Sequence, residues 1–232
     1  MAKMTKRARE NAKMVPSSAV EPAQAFSTLK KFKGPKFDQS VEVCLHLGVD
    51  VKQADQMIRG SVSLPKGIGK SKRVVAFCSP EQVQACKDAG AIKAGGEDLM
   101  AEVEGGWMDF DVAIASPDMM RVISKLGKVL GPKGLMPSPK NGTVTPKVAD
   151  AVAEFAAGKV EYRTDKGGNI HAIIGKMSFP ENDLVENYTH FVATIEKARP
   201  ATVKGEYVKG ITVSGTMTPG VKVAFTNAAA GE

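Results

Sequence analysis

The chain has little cysteine: Cys44, Cys78 and Cys86 are the whole complement in 232 residues. An odd, small number builds no disulfide framework, and none of the three sits in the paired CxxC spacing of a zinc site. They are expected as buried free thiols. No run approaches the roughly 18 apolar residues that a membrane helix needs. The opening MAKMTKRARENAK is basic and lacks the apolar stretch of a signal peptide. A cytoplasmic protein with no membrane partner is the expectation. The three histidines, His46, His171 and His190, show no HExxH spacing, and no serine stands in a GxSxG elbow. Metal and nucleophile chemistry therefore have no support, and no catalytic residue, cofactor or metal ligand is assigned.

A phosphate loop is missing too, despite GIGKS at 67–71. A loop ending in Gly69-Lys70-Ser71 needs its first glycine at 64, where Leu64 stands, and a helix must follow where a strand begins near Arg73. The dinucleotide fingerprint fails because its third glycine falls on Lys72. Asp98, Asp109, Asp111 and Asp118 lie near predicted strand and helix ends, where caps and turns account for them. The alternative of a nucleotide-dependent α/β enzyme thus lacks its phosphate loop, and a DNA-binding module lacks a groove-reading helix.

What the chain does have is a lopsided charge. Residues 1–36 hold nine Lys and Arg against Glu10 and Glu21, a net +7 that equals the formal charge of the whole chain, so everything after residue 36 sums to zero. A basic end on a neutral body suits a polyanion, because each phosphate neutralised releases condensed counterions. A solvated basic tail is the plainer reading of the same residues.

Hydrophobic spacing predicts a helix over 21–33, with Ala25, Phe26, Leu29 and Phe32 on one face. Alternation predicts an amphipathic strand over 40–49, with Val41, Val43, Leu45 and Leu47 on one side and Ser40, Glu42, Cys44 and His46 on the other. A second strand, 58–64, ends in the breaker run PKGIGK. Next come short apolar strands (74–78, 112–116) alternating with helices (80–89, 97–104, from 118), the rhythm of a parallel sheet. Four glycines and four prolines make 127–146 largely loop. A helix over 148–159 closes this section. Strands VEYRT and NIHAIIGK, a helix over 181–197, and strands YVKGITVSG and VKVAF complete the chain, with antiparallel strands facing a helix. The terminal NAAAGE is expected to fray. Because 65 residues of one helix and two strands make too small a core, the two ends are expected to pair. The fold expected is an α+β domain from 1–67 plus 160–232, with an inserted α/β unit at 68–159.

Three stretches combine basic, aromatic and hydroxyl groups. They are KGPKFDQS at 33–40, where Phe37 follows Lys36; YRTDKGGNIH at 162–171; and SGTMTPG at 214–220, which presents Met217. An aromatic at a strand edge packs in a core or on a ribose or base. A Lys-Gly-Gly turn lets backbone N–H groups approach phosphates. Each stretch also reads as an ordinary hairpin. Their convergence at strand ends of one sheet is what would make them a site.

Seven blocks carry a resemblance: TKR at 5–7, KFDQSVEV at 36–43, DQMIRGSVSLPKGIGK at 55–70, FDVAIASPD at 110–118, LGKVLGPKGLMPSPKNGTVTP at 126–146, YRTDKGGNIHAIIGK at 162–176 and SGTMTPGVKV at 214–223. With these the chain closely resembles the family of bacterial large-subunit ribosomal protein L-one, the protein of the mobile side stalk. The resemblance implies an α+β RNA-binding domain built from both chain ends, with an inserted three-layer Rossmann-like α/β domain that moves relative to it. It implies no enzyme activity and no small-molecule substrate. It implies a ribosomal location and a monomer when free. The implied partners are large-subunit ribosomal RNA, exit-site tRNA and the protein's own operon messenger RNA, whose translation it represses. Carried onto this chain, the RNA-contact positions are Lys36, Phe37 and Ser40; Arg163, Asp165, Lys166 and His171; and Ser214, Thr216, Met217 and Thr218. Lys133, in the Gly-Pro-Lys-Gly turn at 131–134, either touches tRNA or holds its own domain together. One departure stands out: the family usually reads Thr-Met-Gly where this chain has Thr216-Met217-Thr218, and Gly215 stands where a hydroxyl is common. A Cβ at 218 would hinder close approach to RNA, or its hydroxyl would add a contact.

Overall fold

The computed structural model describes residues 4–53 and 55–225; the stretch at 227–232, expected to fray, lies outside them. Residues Lys70–Glu161 cluster as one compact unit, and the described residues on either side of them cluster as another. The first unit starts with α1 (Lys6–Met14), α2 (Pro22–Lys31), β1 (Ser40–Leu47) and β2 (Arg59–Val62). The second holds β3 (Val74–Phe77), α3 (Val83–Asp88), β4 (Lys93–Gly95), α4 (Glu97–Glu104), β5 (Val112–Ala115), α5 (Met120–Ile123), α6 (Gly127–Leu130) and α7 (Val148–Ala156). After β6 (Val160–Arg163), the first unit resumes with β7 (Asn169–Lys176), α8 (Glu181–Lys197), β8 (Val208–Gly215) and β9 (Val221–Val223). The protein is therefore of mixed α/β class. Among the described residues no helix is long and apolar enough to cross a membrane.

In the first unit four strands form a sheet in the order β7-β1-β8-β9, with every pairing antiparallel. The alternation in β1 is the cause of its one-sided burial: Val41, Val43, Leu45 and Leu47 are buried, while the residues between them are not. Helices α2 and α8 cover that buried face. The apolar stripe of α8 (Leu184, Tyr188, Phe191, Val192, Ile195) recurs every three to four residues, and Phe26 of α2 meets Tyr188 edge to face at 5.9 Å. Burying a side chain such as Phe191 contributes about 1.5–3 kcal/mol. Val20 extends the sheet as a parallel bridge to Val223. The four-stranded sheet thus joins residues from both ends of the chain, and its other face is left open.

The basic amino-terminal stretch contains a helix that periodicity did not reveal. Thr5 caps α1, its hydroxyl accepting the Ala8 N–H at 3.2 Å. The buried Asn11 then fastens α1 to the end of α2. Its side-chain N–H donates to Lys33 O and its Oδ1 accepts from Lys33 N, both at 3.0 Å.

The second unit has a parallel sheet, β4-β3-β5, in which β3 and β5 are buried along their whole length. Alternate residues feed two cores. Val74, Ala76 and Cys78 pack with α3 and α7, while Val75 and Phe77 pack with α4, α5 and α6. Helices on both faces are the reason these strands read as continuous apolar runs. Three details differ from expectation. The helix expected at 80–89 begins as a 3-10 turn at Pro80–Gln82; the helix expected from 118 breaks into α5 and α6 around Ser124–Leu126; and the edge strand β4 was not anticipated. Asp109 and Asp111 cap no helix; both pair with Arg73 at the amino-terminal ends of β3 and β5. The expectation for the cysteines holds for Cys78 and Cys86, which are fully buried; burial pushes the Cys78 thiol up to about 12. Cys44 departs from it and is only partly covered, because it points to the open face of β1.

Candidate nucleic-acid interface

Antiparallel register decides which side chains share the open face, because directly opposed residues project the same way. Glu42 lies opposite Ile173 and Ser214, Cys44 opposite His171 and Thr212, and His46 opposite Asn169 and Gly210. Ser40 lies opposite Lys176 at one end of this stripe. From Ser40 to His46 is six residue steps, about 20 Å at roughly 3.3 Å each.

The lysine at that end would not be there without an irregularity. Between Val41 and Glu42 the register on β7 jumps from Gly175 to Ile173, so Ile174 and Gly175 are both buried. This bulge resets the alternation, so that Lys176 emerges on the same side as His171 and Ile173. Its ammonium donates to Ser40 Oγ at 2.9 Å.

Two of the three sequence stretches meet here. Thr216 donates its N–H to Ser40 O at 3.1 Å and accepts the Ser40 N–H on its hydroxyl at 3.2 Å. Phe37 and Met217 stay 55% and 52% exposed, too much for core residues of their size. Behind Met217 is a residue that sequence reasoning missed. Gln39 is 3% exposed; its Oε1 accepts the Met217 N–H at 2.8 Å and its backbone O accepts the Met177 N–H at 2.8 Å. Just before β1, it continues the inward alternation of that strand, and its polarity hid that from the hydrophobic pattern. Asp38 completes the frame by accepting from the Ser178 N–H and hydroxyl.

The departure at Thr218 is explained within this turn. The Thr218 hydroxyl accepts the Gly215 N–H at 2.9 Å, and the Thr218 N–H donates to Gly215 O at 3.1 Å. A Cβ on residue 215 would lie 2.9 Å from that hydroxyl and 2.8 Å from Met177 Cε. Glycine at 215 and threonine at 218 therefore suit each other, and the hydroxyl serves the turn.

The third stretch sits at the far end of the stripe, so the convergence is partial: one sheet face, two ends. Asp165 is committed to its own turn. Its Oδ1 accepts the Asn169 N–H at 2.7 Å and the Gly167 N–H at 2.8 Å. Gly168 takes φ +78°, and its carbonyl accepts the Leu47 N–H at 2.9 Å. This leaves Arg163 and Lys166 exposed on either side of Asp165. His171 reaches inward from the same end, its Nε2 3.6 Å from Asp165 Oδ2 and 3.9 Å from Cys44 Sγ. Asn169 Oδ1 lies 2.8 Å from His46 Nδ1, a second link that sequence reasoning missed. Lys133, exposed in its turn, belongs to the other unit and is not part of this stripe.

Foremost the Asn169 N–H, then its side chain and the Gly167 N–H, hold the Asp165 carboxyl below its ordinary 3.8. A lowered native value means the carboxylate stabilises the fold above pH 3.8, a contribution lost as pH falls through the lower native value. The melting-temperature advantage of the native chain over Asp165→Asn is therefore expected to be full near neutrality and to shrink below pH 3.8. An advantage that stayed constant down to pH 2 would deny the carboxylate this part.

The stripe is chemically divided. Cations stand at both ends, Lys36 and Lys176 at one and Arg163 and Lys166 at the other. Between them the face offers hydroxyls, imidazoles, an exposed Ile173 and the carboxylate of Glu42. Phosphates suit the ends, and the middle suits riboses and base edges, which an acceptor such as Glu42 engages where a phosphate would be repelled. Among the described residues, no cluster of three or more His, Cys, Asp or Glu could hold a metal ion. A model of the Ribosomal protein L1p/L10e family matches residues 29–219, which include every residue of this stripe.

Proposed function

The chain belongs to the Ribosomal protein L1p/L10e family, a structural RNA-binding family of the ribosome and not an enzyme family, and from that membership we propose that the open sheet face is its ribosomal RNA site. The observation that carries this reading is an exposed Phe37 and an exposed Met217 on two segments joined through the buried Gln39 and the Ser40–Thr216 bonds. Large apolar side chains held out into solvent by a rigid frame serve to stack on unstacked bases or pack on riboses. Lys36, Lys166 and Arg163 then grip the backbone, Ser40, Ser214, Thr216 and His171 engage hydroxyls, and Asp165 and Thr218 shape the turns. The RNA is the folded base of the mobile side stalk in the large subunit. The same face takes a structural mimic of that RNA in the protein's own operon messenger and represses its translation. In the other unit, Lys133 contacts tRNA leaving the exit site.

The test is a filter-binding titration of the full chain against the stalk-base fragment of large-subunit ribosomal RNA, with duplex RNA as competitor. Tight binding that survives competitor is expected. Replacing Thr216 and Met217 with alanine in a correctly folded chain is expected to weaken it about tenfold, the scale of one lost stacking contact. Unchanged affinity would remove that turn from the site, and binding abolished by competitor would remove the specific site altogether.

A further inference from the structure

Helix α1 lies outside the family match, which begins at residue 29, and the stripe just described does not use it. It is nine residues long and carries four cations, of which Arg7 is half-buried on the side of Asn11 and the other three share one face. At about 100° per residue, Lys6, Arg9 and Lys13 fall within an arc of roughly 60°, centred about 165° away from Asn11. Asn11 is the residue that fastens the helix, through its paired hydrogen bonds with Lys33. The three cations therefore point directly away from the anchored side, and all three are exposed. Among the described residues none of them forms an ion pair. The one acidic residue of the helix, Glu10, is occupied by Lys33, and that pairing holds its carboxyl below the usual carboxylate range.

A flexible basic tail and an anchored basic face differ in what they do to RNA. The tail must lose conformational entropy for each contact it makes, whereas the helix is already ordered by its Thr5 cap and by Asn11. Its anchor point, Lys33, is three residues before Lys36 and four before Phe37, so α1 is tied to the loop that presents the recognition aromatic. Lys6 and Lys13 are about 10 Å apart along the axis at 1.5 Å per residue, which allows them to meet different phosphates.

We propose that α1 is a second RNA-contact surface, in which Lys6, Arg9 and Lys13 bind the phosphate backbone beside the sheet site without reading sequence. This rests on the reading of the first unit as an RNA-binding unit. The contact supplies affinity and salt dependence, and discrimination is left to the sheet face.

The experiment compares the full native chain with the triple variant Lys6→Gln, Arg9→Gln, Lys13→Gln on two probes, the stalk-base fragment and an unrelated RNA duplex, across a series of salt concentrations. Each phosphate contact adds about 0.7–0.9 to the slope of log K against log salt. The triple variant is expected to lower that slope by about 2 on both RNAs, with affinity falling tenfold or more at low salt and the preference for the fragment retained. A charge-preserving variant, Lys6→Arg with Lys13→Arg, is expected to keep the native slope. A triple variant with an unchanged slope would overturn the proposal, as would a charge-preserving variant that loses as much as the glutamine one. Failure of the sheet site reads differently: the native chain would then show no preference for the fragment, while the slope on duplex RNA would still report on α1. The three side chains are exposed, so the fold is preserved and an unchanged melting temperature verifies it.

Discussion

Asn187→Ala is expected to lower the unfolding free energy by roughly 3 kcal/mol, the scale of one buried and two partly buried polar groups that lose this partner. Asn187 sits in α8 with no exposed surface, and its amide reaches in two directions. Its Oδ1 accepts the Lys66 N–H at 3.0 Å, while its side-chain nitrogen donates to Gly67 O at 3.0 Å and to Ile174 O at 2.8 Å. The amide thus ties the Pro-Lys-Gly turn after β2 to α8 and to the bulged stretch of β7. Alanine takes this partner from three backbone groups, the Ile174 carbonyl buried and the other two partly buried. Leucine, of similar volume, keeps the packing and restores none of the bonds, so Asn187→Leu is expected to lose nearly as much. Urea unfolding is the measurement, with a lower midpoint at unchanged slope as the expected result. A leucine variant as stable as the native chain would show that the cavity, and not the hydrogen bonds, matters here. Because domains keep a margin of only about 5–15 kcal/mol, this one amide decides how much of that margin survives.

Asn187 also illustrates where sequence reasoning stops. The helix that carries it was legible over 181–197, since its apolar residues recur with the helical period, and the helix over 97–104 was legible for the same reason. The inward set of β1 was legible from alternation alone. What escaped were the places where a polar side chain does an apolar residue's work. Asn11 anchors α1, so no hydrophobic period announced that helix. Gln39, just before β1, continues its inward alternation, and its polarity kept it out of the inward set. Lys176 falls on the wrong parity for the open face, and only the bulge beside Ile174 and Gly175 corrects it. Of the candidate site, the chemistry of Phe37 and Met217 was readable as residue types. That their two segments meet depends on the register of β1 with β8, and that register is a property of the folded sheet. The register of β1 with β7 places the Asp165 turn at the opposite end of the stripe, which strand counting along the chain could not separate from the near end.

Gln39 yields the other large effect, and it falls on binding more than on folding. Gln39→Leu keeps the volume, removes the acceptor of the Met217 N–H and leaves the backbone bond to Met177 in place. The fold is expected to lose about 1–3 kcal/mol for the unpaired N–H. Affinity for the stalk-base fragment is expected to fall by roughly 30-fold, about 2 kcal/mol, because the turn bearing Thr216 and Met217 and the loop bearing Phe37 lose the group that fixes them to each other. Preorganised contacts are worth more than the same contacts on a loose turn, since binding then orders nothing new. The control is duplex RNA, bound through phosphates by lysines that the substitution does not touch, and its affinity is expected to stay within about twofold. Global destabilisation at a temperature well below melting would weaken neither probe, and loss of a cation would weaken both. Only a side chain that positions the recognition turn produces a selective loss. Equal loss on the two RNAs, or a lowered melting temperature with intact fragment binding, would reduce Gln39 to a packing residue.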